Sequence, residues 1–200
     1  MNIKNIIFDF GGVLVDWNPR YLYKEHFATE AEMEDFLENI CTDAWNIEQD
    51  RGRPLAEATK LLQEKHLEYH DLIALFYGEW ETMMKDQIPG TVKILHEVRP
   101  KYNLYGLTNW SSETIDFAYN RFDFFEQFDG IVVSGVEKLI KPDHTFFHLL
   151  LNRYHIKAKE SVFIDDNAAN IKAAKEIGFH TVHFKSAEQL REELEGVGIL

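Results

Sequence analysis

The sequence contains a single cysteine, Cys41, so no disulfide bond can form within the chain. A chain without disulfides is typical of a reducing compartment. The sequence also lacks a signal-peptide pattern and any apolar run long enough to cross a membrane. These absences predict a cytoplasmic protein with no membrane partner.

Basic residues are scarce. The chain has 21 Lys and Arg against 34 Asp and Glu, which gives a formal net charge of −13. Because nucleic-acid binding favours a basic surface, this balance predicts no nucleic-acid partner. A small phosphorylated ligand needs only a local positive pocket and is still compatible. The hydrophobic content of 45% predicts a globular chain, for which we expect a monomer or a weak dimer.

The first apolar run, Ile6 to Phe8, ends in Asp9 and is soon followed by Gly11-Gly12. The run has no polar alternation, so it predicts a fully buried strand. A carboxylate at the tip of a buried strand is costly unless a metal, a hydrogen-bond donor or a substrate uses it. Asp9 is therefore a candidate nucleophile. For this stretch alone, a turn or helix-capping aspartate is an equally good interpretation.

Strand and helix patterns alternate in the C-terminal half, which predicts an α/β fold with a parallel sheet and right-handed crossovers. The later predicted strands are residues 102–107, 130–134, 161–164 and 180–184. Residues 20–85 instead carry apolar residues at helical spacing. We therefore predict a core formed by residues 1–15 and 88–200, with a helical cap inserted at residues 16–87.

Polar residues lie at or after the ends of four predicted strands. These residues are Asp9, Thr108-Asn109, Lys141 and Asp165-Asp166. Each has a plainer interpretation as a helix cap, a surface lysine or a turn residue. Because parallel strands bring their carboxyl ends to one edge of the sheet, the four together predict an active site.

The chemistry that these residues permit is phosphoryl transfer. Aspartates that lie close together repel one another unless a cation neutralises them, and oxygen ligands favour Mg²⁺. Asp9 could then attack phosphorus and form an aspartyl-phosphate. Lys141 would neutralise charge, while Thr108 and Asn109 would donate hydrogen bonds to phosphate oxygens. This interpretation predicts a small-molecule phosphate ester as the substrate.

The four motifs resemble those of the haloacid dehalogenase-like hydrolase superfamily. They read Asp9-Phe10-Gly11-Gly12-Val13, Thr108-Asn109, Lys141-Pro142 and Asp165-Asp166-Asn167-Ala168-Ala169-Asn170. The resemblance covers essentially the whole chain and implies a Rossmann-like core, a C1-type cap and an Asp nucleophile. In detail, the chain resembles small sugar-phosphate phosphatases of the α-D-glucose-1-phosphate phosphatase type. These enzymes also have Asp-x-Gly-x-Val in the first motif and Asp-Asp-Asn in the last.

The resemblance also implies a metal site and a reaction. Mg²⁺ would be held by Asp9, the Gly11 carbonyl and Asp166, with Asp165 ligating or assisting through water. The implied enzyme is a Mg²⁺-dependent phosphatase that hydrolyses a small phosphorylated metabolite, such as a sugar phosphate, through an aspartyl-phosphate.

One position departs from the family pattern. Most phosphatases of the superfamily carry a second Asp two residues after the nucleophile as general acid/base, and here that residue is Gly11. Metal-independent 2-haloacid dehalogenases also lack this Asp, but they typically lack the late acidic pair that this chain keeps. A metal-dependent phosphatase is favoured, with a dehalogenase and an inactive ligand- or partner-binding protein as alternatives. Candidates for the missing acid are Asp16, a cap residue such as His26, and a bound water.

Three cap residues are candidate substrate contacts. Arg51 and Arg53 flank a glycine in a predicted loop, from which they could reach a phosphate or a sugar. Trp45 could stack on a sugar face. The alternative interpretation is that the arginines are solvated and that Trp45 belongs to the core of the cap.

Overall fold

The computed structural model describes residues 2–200, which form a five-stranded parallel sheet flanked by helices and a separate two-stranded antiparallel sheet. The strands are β1 (Asn5–Phe8), β2 (Val15–Trp17), β3 (Met84–Gln87), β4 (Asn103–Thr108), β5 (Gly130–Val133), β6 (Ser161–Asp165) and β7 (His180–His183). The α-helices are α1 (Arg20–Tyr23), α2 (Glu30–Asn39), α3 (Asp43–Asp50), α4 (Leu55–Lys65), α5 (His70–Gly78), α6 (Pro89–Val98), α7 (Ile115–Arg121), α8 (Ser134–Glu137), α9 (His144–Arg153), α10 (Ala168–Ile177) and α11 (Ala187–Gly196). Short 3₁₀ helices cover Leu67–Tyr69, Trp80–Met83, Asp123–Gln127 and Ala158–Glu160.

The large sheet has the strand order β5-β4-β1-β6-β7, and every neighbouring pair is parallel. The α/β fold class predicted from the sequence is confirmed. β1 is the central strand, with β4 on one side and β6 on the other. The carboxyl ends of these three strands therefore lie next to one another at a single edge.

The central strand lacks polar alternation because both of its faces are buried. Ile6 and Phe8 belong to one hydrophobic core, whereas Ile7 belongs to a second core that contains Phe146 and Phe163. All three residues of the apolar run are completely buried. A strand covered by helices on both faces reads as a continuous apolar run, as the sequence predicted.

The segment between β2 and β3 is largely helical and packs around aromatic side chains. The rings of Tyr23 and Phe36 lie 4.9 Å apart, and Tyr23 donates a hydrogen bond of 2.9 Å to the Leu72 carbonyl. The predicted helical character is wrong at Met84 and Lys85, which belong to a strand, Met84–Gln87, that pairs in antiparallel fashion with Val15–Trp17. The apolar spacing before that segment does not distinguish a helix from a short strand, and pairing with β2 decides the outcome.

The helical segment touches the sheet domain near the edge that carries the strand ends. The Leu55 amide donates a hydrogen bond of 2.9 Å to the Glu113 carboxylate. At Gly52, a Cβ atom would lie 3.1 Å from the Gly135 carbonyl oxygen. The end of α3 and the turn after it are thus held against the core. Among residues 2–200, no helix combines the length and the hydropathy that a membrane span requires.

Candidate active site

The central strands bring three of the predicted site residues together. Asp9 follows β1, Thr108 is the last residue of β4, and Asp165 is the last residue of β6. Lys141 reaches the same edge from the loop after α8. All four residues are at most 8% exposed, although three of them carry a charge in their ionised forms. Charged groups at such depth require partners, and the three charged residues partner one another through Lys141.

Lys141 is the bridge between the two aspartates. Its Nζ lies 2.8 Å from Asp9 Oδ2 and 2.7 Å from Asp165 Oδ2. Burial lowers the pKa of Lys141, but the two carboxylates outweigh burial, and the net pKa is raised. The ammonium group therefore stays charged, and it presents a fixed positive charge to the nucleophile predicted at Asp9.

The Asp165 carboxylate is fully used by protein donors. Besides Lys141, it accepts hydrogen bonds from the Asn170 side chain at 3.0 and 3.1 Å and from the Asn167 amide at 2.8 Å. This arrangement suits a residue that holds Lys141 in place more than one that binds a metal directly. The sequence contains Asn170 in its late motif but gives no separate indication of this contact.

A carboxylate cluster at the edge fits a divalent cation. Asp9, Asp165 and Asp166 each place an oxygen within 4.8 Å of the others. Burial raises the pKa of Asp9 to about 7, even though Lys141 lowers it, so a further cation would favour the ionised form. Oxygen ligands and an exposed Asp166 suit Mg²⁺, which keeps some of its waters. Gly11 and Asp166 stay predicted ligands.

Thr108 carries a buried hydroxyl that has no protein partner. The residue is completely buried, and its Oγ1 makes no hydrogen bond within residues 2–200. A buried unsatisfied hydroxyl costs about 1–3 kcal/mol, so its presence calls for an explanation. A phosphate oxygen bound at this edge would satisfy it.

Asn109, also predicted to bind phosphate, is engaged elsewhere through its side chain. Its Oδ1 accepts a hydrogen bond from the Lys141 amide at 2.8 Å, and its Nδ2 donates to the Lys141 carbonyl at 3.0 Å. This two-way contact fixes the backbone of the lysine loop. The side chain of Asn109 therefore positions the Lys141 backbone.

A cavity lies beside these residues, between the sheet edge and the helical segment. Its lining residues are Gly11, Trp17, Asn46, Asp50, Trp80, Asn109 and Trp110. The indole Nε1–H groups of Trp17 and Trp80 have no hydrogen-bond partner within residues 2–200. The cavity therefore has aromatic walls together with polar side chains, as small-molecule sites do.

Asp50 is the site residue that the sequence reasoning missed. It is the last residue of α3, and its side chain is buried against the core. Burial raises its pKa to about 7, while the Ser111 backbone amide and Lys141 lower it. In the sequence Asp50 ends a polar stretch, so nothing distinguishes it from a solvated helix end. Only the contact between α3 and the core buries it.

The three cap residues predicted as substrate contacts do not line this cavity. Arg51 is about half exposed and pairs with Glu48 at 3.7 Å. Arg53 donates hydrogen bonds to Gln49 at 2.7 Å and to the Trp45 carbonyl at 3.1 Å. The Trp45 ring packs against two other aromatic rings of the helical segment. Their role in substrate binding stays a prediction.

Known proteins with similar sequences include a phosphatase, which agrees with the chemistry that the site permits. The chain is 27% identical over 207 aligned residues to D-ribitol-5-phosphate phosphatase of Bacteroides thetaiotaomicron, covering 96% of this chain and 97% of that protein. It is 24% identical to drimenol cyclase drtB of Aspergillus calidoustus over 98% of its own length, but it spans only 36% of that protein.

A solved structure and a family model extend the comparison. A HAD family enzyme from Bacteroides thetaiotaomicron, crystallised in complex with magnesium and inorganic phosphate, superposes with a TM-score of 0.69 at 25% identity. The superposition covers 92% of this chain and 95% of that chain. The model of the haloacid dehalogenase-like hydrolase family matches residues 6–184, from β1 to just beyond β7. The chain therefore belongs to the haloacid dehalogenase-like hydrolases, the family that its four motifs resemble, and it is an enzyme.

Proposed function

We propose that this hydrolase is a Mg²⁺-dependent phosphatase acting on a small phosphorylated metabolite of the sugar-phosphate class. The observation that carries the proposal is the ion pair of Asp9 and Lys141 beside the unpartnered Thr108 hydroxyl. These groups supply a nucleophile, a fixed positive charge and a donor for a phosphate oxygen. The similarity to a D-ribitol-5-phosphate phosphatase supports the substrate class.

Asp9 is held in an orientation that suits attack. Its Oδ1 accepts a hydrogen bond of 2.7 Å from the Phe10 amide, and its Oδ2 contacts Lys141. The carboxylate attacks phosphorus, the bond to the leaving group breaks, and an aspartyl-phosphate forms on Asp9. Water then hydrolyses this intermediate. Lys141 stabilises the charge that develops during both steps.

Mg²⁺ would be held by Asp9, Asp166 and the Gly11 carbonyl, with Asp165 assisting through water. Bound there, it would neutralise phosphate charge and orient the phosphoryl group. The exposed position of Asp166 supports its role as a ligand, while the hydrogen bonds to Asp165 support an indirect role for that residue.

Residues 16–87 would act as a cap on the core formed by residues 1–15 and 88–200. Its closure would exclude water and enclose the part of the substrate that leaves. The polar lining residues Asn46 and Asp50 support a leaving group with hydroxyls, because they offer hydrogen-bonding groups to it. In addition, Arg51, Arg53 and Trp45 would contact the substrate from the cap.

Hydrolysis of p-nitrophenyl phosphate tests this proposal. The expected result is turnover that requires Mg²⁺, stops in EDTA and falls to background in Asp9→Asn, while the exposed-site control Asp123→Asn stays active. A panel of sugar and polyol phosphates then ranks substrates.

Absence of metal-dependent turnover contradicts the proposal. Halide release from 2-chloropropionate without metal would instead support a dehalogenase, and phosphate binding without turnover would support an inactive ligand-binding protein.

A further inference from the structure

The phosphatase reaction needs a proton donor that the first motif does not provide. When the bond between phosphorus and an alkyl oxygen breaks, the departing alkoxide is a poor leaving group unless an acid protonates it. Gly11 occupies the position where the family's acid is expected, and it has no side chain. On the proposed phosphatase function, on which the identity of the donor rests, another residue must supply this proton.

Asp50 lies where such a donor would be needed. It lines the same cavity as Gly11 and Asn109, and it approaches this cavity from the helical segment. The turn that follows it contacts the core through Gly52 and Leu55. The carboxyl group is therefore brought to the site by the same contacts that hold α3 against the sheet edge.

The surroundings of Asp50 favour its protonated form. It is 8% exposed, and among residues 2–200 no salt bridge involves it. The ionisable groups that face it are Lys141 on the core side and Tyr77 on the cap side. Burial raises the pKa of Asp50 to about 7, which is near the value that suits an acid working at neutral pH.

Two of the three candidates suggested by the sequence, Asp16 and His26, are placed less well. Both carboxylate oxygens of Asp16 accept a hydrogen bond from the Tyr21 hydroxyl, at 2.9 Å each. His26 lines a separate surface groove with Glu32 and Tyr69, and that groove shares no residue with the cavity beside Gly11. Neither residue lines the cavity.

We propose that Asp50 is the general acid/base of the reaction and replaces from the cap the aspartate that is absent at Gly11. As Asp9 attacks phosphorus, the bond to the leaving oxygen breaks, and its electron pair accepts the proton of the Asp50 carboxyl group. An alcohol and the Asp50 carboxylate result. The carboxylate then takes a proton from the water that attacks the aspartyl-phosphate, which releases phosphate, frees Asp9 and restores protonated Asp50.

Leaving-group dependence tests this role. The probes are p-nitrophenyl phosphate, whose phenolate leaves without protonation, and the alkyl phosphate turned over fastest in the sugar and polyol panel. In Asp50→Asn, kcat/KM should fall about 100- to 10,000-fold for the alkyl ester but less than about tenfold for the aryl ester. An equal loss for both esters would overturn the inference while the phosphatase proposal stands. A wild-type enzyme that accepts aryl esters only would overturn both the inference and the proposed substrate class, while Mg²⁺-dependent phosphatase chemistry would stand.

A rescue variant guards against misfolding of the single mutant. A Cβ added at Gly11 meets no atom within 4 Å, so an aspartate can be accommodated there. Gly11→Asp combined with Asp50→Asn should recover at least tenfold of the lost alkyl-ester kcat/KM, whereas Gly11→Asn in the same background should recover none. Equal recovery by both substitutions would contradict a protonation role. If the wild-type enzyme shows no Mg²⁺-dependent turnover of the aryl ester, the phosphatase proposal itself is refuted.

Discussion

The ammonium group of Lys141 lies 2.7 Å from the carboxylate of Asp165, and both side chains are completely shielded from solvent. Asp165 is in turn held by Asn170, so the lysine is fixed by Asp165 as well as by Asp9. A buried pair of this kind orients a charge more than it adds stability. The consequence is a rigid positive charge beside Asp9, the proposed nucleophile.

Removal of this charge should destabilise the fold as well as stop the reaction. Lys141→Met leaves two buried carboxylates without their cation, which should cost about 3–5 kcal/mol in the free energy of unfolding. Urea denaturation in EDTA measures the effect. The control Lys60→Met removes an exposed lysine with a loose partner, Glu64 at 3.8 Å, and should change stability by less than about 0.5 kcal/mol. Equal effects of the two variants would contradict the account.

The Thr108 hydroxyl should matter for activity and not for stability. Because its Oγ1 has no protein partner, Thr108→Val should leave the melting temperature unchanged or raise it. Loss of a donor to the transferring phosphoryl group should lower kcat/KM about 100-fold or more.

Thr91 provides a matched control, since its Oγ1 is also buried and unpartnered but lies on α6. Thr91→Val should affect stability in the same way without loss of activity. A Thr108→Val enzyme with full activity would exclude the proposed phosphate contact.

Gly12 should control the affinity for Mg²⁺. Its φ is +74°, and a Cβ atom would lie 2.5 Å from Asp166 Oδ2, so Gly12→Ala must displace that carboxylate. The Mg²⁺ concentration for half-maximal activity should rise about 10- to 100-fold. Gly178 has a φ of +103° but open space around it, so Gly178→Ala should cost about 1–2 kcal/mol of stability and leave the Mg²⁺ dependence unchanged. Identical Mg²⁺ titrations for both variants would argue against Asp166 as a ligand.

Asp50 should make the stability of the protein depend on pH in a defined window. Burial raises its pKa from 3.8 to about 7, so the folded state keeps a proton that the unfolded state releases. The free energy of unfolding therefore declines as pH rises from about 4 to 7. Above pH 7 the whole cost of ionising the buried Asp50 applies, which is at most about 4 kcal/mol.

Asp50→Asn removes this titration. Its melting temperature relative to wild type should be lowest at pH 4 and increase up to about pH 8. Asp123→Asn, at an exposed position with no salt bridge among residues 2–200, should show no such increase. A pH-independent difference for Asp50→Asn as well would show that the carboxyl group has an ordinary pKa.

The core of the fold and the centre of the site could be predicted because local patterns determine them. The apolar run before Asp9 requires a strand that is buried on both faces, and parallel pairing then brings Asp9 and Asp165 to one edge. The predicted strand near Ser161 and the glycine that ends α10, Gly178 at φ +103°, agree with the structure.

The remaining features depend on contacts between distant segments. β3 is a strand because Val15–Trp17 lies beside it, and its own sequence does not require this. Asp50 is buried only because α3 docks on the core, whereas Trp45, an expected sugar contact, packs within the helical segment. The positions of side chains in the helical segment follow from its docking on the core, which a single sequence does not specify.

The most direct test of the central claim is to identify the phosphorylated residue. The enzyme is quenched during turnover of p-nitrophenyl phosphate with Mg²⁺, reduced with borohydride, digested and examined by mass spectrometry. The account predicts conversion of Asp9 to homoserine, because borohydride reduces an acyl phosphate, and predicts no such change in EDTA or in Asp9→Asn. Reduction at another carboxylate would contradict the account. So would an unmodified Asp9 in an enzyme that turns over substrate and that labelled substrate shows to carry phosphate elsewhere.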